Sequence, residues 1–268
     1  VQAVVTPDVL AKRDRSPVTV ANFGSQAIVC RALGEAFEND PVVAEEDSTE
    51  LRQPENAELL DQVARHVGRS QPDSSRETIC RWIDRGRDRE YSERFWTLDP
   101  IDGTKGFLRR EQYAVSLALL VAGRIELAVL ACPNLPSVAG STVASGNIFC
   151  ATRGQGAWSL PWEDGHDPAP LQVSSRDDPA EIRFCESVES GHSSHNDAAS
   201  VAEQLGIRQP PIRMDSQAKY AVVARGDADI YLRLPTRPDY HEKIWDHAGG
   251  VLIVREAGGK VTDVAGKP

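Results

Sequence analysis

Residues 96–107 read Trp-Thr-Leu-Asp-Pro-Ile-Asp-Gly-Thr-Lys-Gly-Phe, and they constrain the chain more than any other stretch. Phe95 to Leu98 reads as a short buried strand that Pro100 stops. Gly103 then opens a helix N-terminus where backbone N–H groups can meet a phosphate. Asp99 and Asp102 lie on that turn, so both carboxylates can offer hard oxygen ligands to one or two metal ions, with the Ile101 carbonyl pointing the same way. Thr104 sets a hydroxyl beside them. Alone, Asp-Pro-x-Asp-Gly is equally a plain turn whose Asp and Gly serve turn geometry.

At 268 residues the chain can bury a full core, as one large domain or two tightly packed halves. A formal net charge of −10 argues against a nucleic-acid polymer or an anionic membrane as partner. An acidic protein that binds an anion must therefore gather Arg, Lys and metal ions locally. Cys30, Cys80, Cys132, Cys150 and Cys185 are odd in number and lack a C-x-x-C spacing, which reads as buried thiols in a reducing compartment. Cys80, in charged surroundings, is the candidate for a redox switch. No run is long enough for a membrane span and no signal peptide is visible, so a cytoplasmic monomer is expected. The absence of a starting Met leaves a removed targeting segment, and an organelle such as a plastid, open.

Val20, Phe23, Ala27, Cys30, Leu33 and Phe37 recur at helical spacing, which predicts a helix over 21–38. A strand over 42–44 then delivers Glu45, and Leu59, Leu60, Val63 and Val67 mark a second helix. Residues 68–94, rich in Arg, Asp, Glu and Ser, read as a solvated insertion rather than a lid. Segments 113–121 and 124–131 flank Ala122-Gly123 as a β-hairpin, which argues against a pure Rossmann sheet. A strand follows over 148–152, and residues 154–170 form a crossing segment between halves. Strands are expected at 182–186, 228–232 and 260–263, and helices at 196–205, 216–225 and 245–257. The expected halves are 1–153, an α+β unit that holds the Asp99 and Asp102 turn, and 154–268, an α/β unit.

Two further stretches accompany the Asp-Pro-Ile-Asp-Gly-Thr turn, Ala44-Glu45-Glu46-Asp47 after an apolar run and Ile244-Trp245-Asp246-His247-Ala248-Gly249-Gly250 far downstream, with a small cluster of phosphate-type ligands between them. Together they resemble the lithium-sensitive, Mg²⁺-dependent phosphatase superfamily of inositol monophosphatase and fructose-1,6-bisphosphatase. Within it, from Ser16-Pro17-Val18-Thr19-Val20-Ala21 onward, the chain is similar to the 3'(2'),5'-bisphosphate nucleotidases at Lys105-Gly106-Phe107-Leu108-Arg109, Gly191-His192-Ser193-Ser194-His195, Asp215-Ser216-Gln217-Ala218-Lys219-Tyr220, Asp229-Ile230-Tyr231-Leu232-Arg233-Leu234-Pro235 and Glu242-Lys243-Ile244-Trp245-Asp246; inositol phosphatases tend to carry Thr-Asn-Phe where Lys105-Gly106-Phe107 stands. The resemblance covers nearly the whole chain and implies an α-β-α-β-α sandwich, a layered α/β (α+β) fold. Relatives continue for another strand and helix, so the segment is expected to be part of a longer product.

The resemblance also implies roles. Glu45, Asp99 and the Ile101 carbonyl would bind a first Mg²⁺, and Asp99, Asp102 and Asp246 a second, with two or three ions per site. Glu46 would act through water. Gly103 and Thr104 would cradle the scissile phosphate, and His192, Ser216, Lys219 and Arg233 would contact the nucleotide. Ser216 and Lys219 are expected on one helical face, and Trp245 as a core anchor. Singly, each of these residues reads just as well as a solvated charge, a satisfied His or a core aromatic. The implied reaction is removal of the 3'-phosphate of adenosine 3',5'-bisphosphate, by direct attack of water, to give AMP and phosphate. The resemblance further implies its sulfated analogue, 3'-phosphoadenosine 5'-phosphosulfate, as a candidate second substrate, and inhibition by Li⁺.

One departure stands out. In this family the Thr hydroxyl that activates water bonds to an Asp within Pro-Val-Thr-x-Ala-Asp, and here that position is Asn22. An amide cannot take up a proton, and losing a water-positioning base costs on the order of 10²–10⁴-fold in rate. Two origins stay open: an introduced change that traps substrate, which the match of the other site residues favours, or a natural loss of turnover. Rival readings are an inositol (poly)phosphate phosphatase and a non-catalytic binder of bisphosphonucleotides.

Overall fold

The computed structural model describes residues 9–11, 17–136, 146–162, 167–189, 194–234 and 241–268. β1 (Val9–Ala11) and β2 (Pro17–Thr19) form an antiparallel ribbon that leads into α1 (Val20–Ala36). Thr19 caps this helix: its hydroxyl accepts from the N–H groups of Ala21 and Asn22, while Asn22 Oδ1 accepts from the Thr19 N–H. β3 (Val42–Ala44) follows, then α2 (Ala57–Val67) and α3 (Arg76–Asp84). Leu59, Val63 and Val67 of α2 and Ile79 and Ile83 of α3 pack on Val20, Phe23 and Ala27 of α1. Segment 68–94 is thus not a solvated insertion: Ser75 caps α3, and its Ile79/Ile83 pair, spaced one helical turn apart, buries a face that the surrounding charges conceal. Cys80 lies on that face, and burial pushes its thiol pKa up, so it lacks the thiolate character of a redox switch.

β4 (Arg94–Asp102) does not stop at Pro100. Its register against β5 (Ala114–Val121) shifts between Asp99 and Asp102, so the proline sits in a bulge where no ladder bond is lost. Between them lies the short helix α4 (Thr104–Leu108). β5 and β6 (Arg124–Cys132) form the expected hairpin, turned by Ala122 and Gly123, both at positive φ. β7 (Asn147–Thr152), β8 (Ala157–Pro161) and β9 (Ala169–Pro170) extend the sheet to seven strands in the order β3 to β9, with only β3 and β4 parallel. Residues 154–170 therefore add two strands to this sheet rather than simply crossing away from it.

A second, parallel sheet is built from β10 (Phe184–Glu186), β11 (Ile212–Arg213) and β12 (Ile230–Tyr231) in the order β11-β10-β12. α5 (His195–Gln204) joins β10 to β11, and α6 (Ala218–Ala224) joins β11 to β12. The two connections move across the sheet in opposite directions, so right-handed crossovers place α5 and α6 on opposite faces. α6 and α7 (Ala248–Glu256) fill the space between the sheets, where Ala221, Leu252 and Ile253 meet Leu130 and Phe149 of the large sheet and Cys185 of the small one. The layers run from α1–α3, through the large sheet, α6 and α7, and the small sheet, to α5. Segment 260–263 is not a strand; Asp263 Oδ1 accepts from the N–H groups of Ala265 and Lys267 and closes a turn instead. Among the described residues no helix is long and apolar enough to cross a membrane.

Candidate active site

The parallel pairing of β3 with β4 sets Ala44 opposite Leu98, and the Glu45 N–H donates to the Leu98 carbonyl at 3.2 Å. Glu45 and Asp99 thereby leave neighbouring strands at the same level. Glu46 is buried and fixed by Gln26, whose Oε1 accepts from the Glu46 N–H at 3.0 Å while its Nε2 donates to the Glu46 carbonyl at 2.6 Å. Beyond the bulge, Asp99 Oδ1 accepts from the Ile101 N–H at 3.1 Å. Asp102 Oδ2 accepts from the Gln217 N–H at 2.5 Å. Burial, then Glu45, Asp102, Asp246 and Glu46, push the Asp99 pKa well above the usual carboxylate range. Asp246 rises to about 6, through burial first and Asp102 second, although Arg233 and His247 oppose the shift. Carboxylates from three distant chain segments thus share one electrostatic site.

Asn22 stands over this floor from the first turn of α1, fully buried. The Thr19 N–H at 3.1 Å can only donate, so the Asn22 atom facing it is the amide oxygen, and the Thr19 hydroxyl donates to the same oxygen at 2.7 Å. The amide nitrogen then points into the site, donating to Glu46 Oε1 at 3.3 Å and to Thr104 Oγ1 at 3.4 Å. The Thr104 hydroxyl donates its own hydrogen bond to the Ile101 carbonyl at 3.2 Å. A carboxylate at residue 22 would receive the Thr104 proton, whereas the amide gives one.

The second half closes the site from the other side. Ser216 does not share a helical face with Lys219: it lies before α6 in a left-handed conformation (φ 69°) and packs on Gly103, itself at φ 82°, where a Cβ would fall 2.8 Å from Ser216 Cβ. Lys219 is 4 % exposed; its Nζ donates to the Met214 carbonyl at 3.2 Å and sits 5.3 Å over the Tyr231 ring. Burial lowers its pKa, and Asp102 counters that. Arg233 Nη2 lies 3.6 Å from Asp246 Oδ2. Asp246 ends a 3-10 turn (Ile244–Asp246), which splits the expected helix 245–257 so that α7 begins at Ala248. Trp245 is half-buried beneath the Arg89 guanidinium and is not a core residue. His192 lies outside the described residues.

Gln217 and Gln26 carry more of the site than their sequence context suggests. Gln217 Nε2 donates to the Trp245 carbonyl at 2.9 Å and its Oε1 accepts from Ser116 Oγ at 3.0 Å, which fixes the turn bearing Asp246 against β5. A buried polar residue within an apolar helix was the available signal for Gln26; nothing marked Gln217 apart from its place between Ser216 and Lys219. The donor set of Glu45, Asp99, Asp102, Asp246 and the Ile101 carbonyl is all oxygen and strongly anionic, which suits a hard cation such as Mg²⁺ rather than a softer metal. The like-charge pressure on Asp99 is what such a cation would relieve.

The family model described as the inositol monophosphatase family matches residues 4–268. The chain is 44 % identical to the 3'(2'),5'-bisphosphate nucleotidase of Emericella nidulans, covering 96 % of this chain and 80 % of that protein. It is 46 % identical to that of Schizosaccharomyces pombe, covering 97 % and 77 %. Against Arabidopsis thaliana 3'(2'),5'-bisphosphate nucleotidase 1 the identity is 45 %, covering 96 % and 78 %. Among solved structures, the extragenic suppressor protein suhB of Bartonella henselae superposes with a TM-score of 0.65 at 23 % identity, covering 97 % of this chain and 80 % of that one. An IMPase/NADP phosphatase complexed with Mg²⁺ and phosphate gives a TM-score of 0.61 at 17 % identity, covering 97 % and 76 %. These structural likenesses speak to the fold alone. With a family model spanning nearly all of its length and relatives this similar, the chain belongs to the inositol monophosphatase family.

Proposed function

We propose that this chain is a phosphatase that hydrolyses the 3'-phosphate of adenosine 3',5'-bisphosphate, giving AMP and inorganic phosphate. The observation that carries this reading is the meeting of Glu45, Asp99, Asp102 and Asp246 beside Thr104, in a chain whose similar relatives are named 3'(2'),5'-bisphosphate nucleotidases. Two or three Mg²⁺ ions held by those carboxylates and the Ile101 carbonyl would neutralise the phosphoryl group, activate water and stabilise the departing alkoxide. The chain's own residues do the rest. Gly103 takes the left-handed turn that presents the backbone N–H groups after it to a phosphate, and the Thr104 hydroxyl orients the attacking water. Ser216 and His192 contact the nucleotide. Lys219 and Arg233 supply positive charge to the second phosphate, which stays on the product. 3'-Phosphoadenosine 5'-phosphosulfate fits the same description, and Li⁺ inhibition belongs to this reading.

Asn22 favours a second reading, in which the chain binds the nucleotide with little turnover. Its amide donates to Thr104 Oγ1, so residue 22 offers no acceptor for a proton leaving the water. The test is phosphate release from adenosine 3',5'-bisphosphate and from inositol 1-phosphate, with Mg²⁺, for this chain and for Asn22→Asp. The expected outcome is a gain of at least about tenfold for Asn22→Asp, with the nucleotide preferred. An unchanged rate with tight nucleotide binding would support the binder, and a preference for the inositol ester would support an inositol phosphatase.

A further inference from the structure

Arg233 does not stand alone on its strand end. Its Nε donates to Glu242 Oε1 at 2.9 Å, and its Nη2 lies 2.7 Å from Glu242 Oε2. This side-on fork occupies the Nε/Nη2 edge of the guanidinium, and the remaining edge, with Asp246 Oδ2 3.6 Å from Nη2, is the one left to meet phosphate oxygens. The Tyr231 phenol is hydrogen-bonded to the guanidinium as well, a further hold on its rotamer.

Glu242 is held in turn. His247 Nε2 is 3.1 Å from Glu242 Oε2, and His247 Nδ1 is 2.8 Å from the Tyr220 hydroxyl. An ionised carboxylate only accepts, so Nε2 carries a proton, while Nδ1 and the Tyr220 hydroxyl pair as acceptor and donor, a hydroxyl being able to take either role. Tyr220 is buried edge-on to Tyr231 at 5.2 Å and lies on Gly250, where a Cβ would fall 2.2 Å from its ring. Donors and acceptors alternate without a mismatch from Tyr220 through His247 and Glu242 to Arg233. The ligand atoms of Glu242, Asp246 and His247 lie within 4.8 Å of one another, but this bonding commits Glu242 and His247 to the arginine rather than to a cation.

We infer that Glu242, braced by His247 and Tyr220, is a positioning residue that presents Arg233 to the second phosphate of a bisphosphorylated nucleotide. The inference rests on the reading of Arg233 as the contact for that phosphate. Holding a long cationic side chain in its bound rotamer removes an ordering cost from ligand binding, worth about three- to tenfold in affinity. The carboxylate charge opposes this by repelling the phosphate across the guanidinium, so the sign of the effect is itself a test.

Titration calorimetry with the two products separates these possibilities, because AMP keeps only the second phosphate while inorganic phosphate reports on the scissile subsite, and neither is hydrolysed. Glu242→Gln is expected to weaken AMP by about three- to tenfold and inorganic phosphate by less than about twofold. Tyr220→Phe, which removes only the last hydroxyl of the chain, should give a smaller loss in the same direction. Glu242 has 38 % side-chain exposure, so its variants should fold, which a melting curve checks. Tighter AMP binding by Glu242→Gln, or equal loss for both products, overturns the inference. Arg233→Ala guards the parent reading: if it leaves AMP binding intact, the second-phosphate reading itself fails. If it weakens AMP while Glu242→Gln does not, only the positioning role is lost.

Discussion

At the floor of the site, Glu45, Asp99 and Asp102 sit at the ends of β3 and β4, with their main chains held in a seven-stranded sheet. The wall that carries Ser216, Arg233 and Asp246 comes instead from short turns tied together by side chains, notably Gln217, Glu242 and His247. The floor concentrates like charge on rigid backbone, where reorganisation is least able to relieve it. The wall pairs opposite charges on short segments that side-chain bonds help to keep in register. A metal-binding site needs the first property, because donors that repel one another gain most from a cation. A site for a large anionic ligand needs the second, since its cations must be aimed without being neutralised outright.

The sharpest way to break this comparison is at Asp99. Asp99→Asn, made in the Asn22→Asp background, removes one charge from the buried cluster and is expected to cut kcat by about 10²–10³-fold, the scale of losing a preorganised electrostatic group. Measured in EDTA, the same variant should melt higher than its parent, because burial and four neighbouring carboxylates disfavour the Asp99 charge. Added Mg²⁺ should then raise its Tm less than it raises that of the parent. A loss of kcat with no gain in Tm in EDTA would mean the floor is not under charge repulsion.

The floor was also the more legible half. The Asp-Pro-Ile-Asp-Gly-Thr turn, the strand before Glu45 and the hairpin at Ala122-Gly123 are local patterns, and the sheet places them as their spacing suggests. What local patterns could not give was the register shift that lets β4 pass through Pro100, or the α3 face hidden among charges. The wall was legible only as a set of residues. That Ser216 leaves helical geometry, that Trp245 is half-buried, and that Gln217 joins Asp102 to the Asp246 turn all depend on contacts between segments far apart in sequence. The Asn22 departure was visible at once, but the direction of its hydrogen bonds follows only from Thr19 standing against it.

Floor and wall touch directly at Gly103 and Ser216, which gives a second, smaller test. Gly103→Ala puts a Cβ on a left-handed residue, at about 1–2 kcal/mol, and sets it 2.8 Å from Ser216 Cβ. Denaturant unfolding should show at least that loss. Because the clash pushes the wall off the floor, AMP affinity should fall together with kcat. A stability loss with kcat and AMP affinity both unchanged would show that the two regions are aligned elsewhere, as through Gln217.

The smallest expected effect concerns how the wall's own scaffold is held. Asp229, just before β12, has 8 % side-chain exposure; it accepts from the Arg183 N–H at 2.8 Å and from Arg176 Nε at 3.0 Å. Burial would raise its carboxyl, but the Arg183 N–H, Ser174 and Arg176 together hold it below its ordinary value of 3.8. A carboxyl depressed in the folded state adds stability that is fully present above the unfolded value and is lost as pH falls through the folded one. Asp229→Asn should therefore destabilise by about 1–2 kcal/mol near pH 7, and the gap to the parent should close below about pH 4. Hydrogen exchange along β10 and β12 should quicken in the variant at neutral pH while β5 and β6 stay protected. Equal loosening of both sheets would mean that the small sheet is held by the shared core of α6 and α7, and not by its ionic ties.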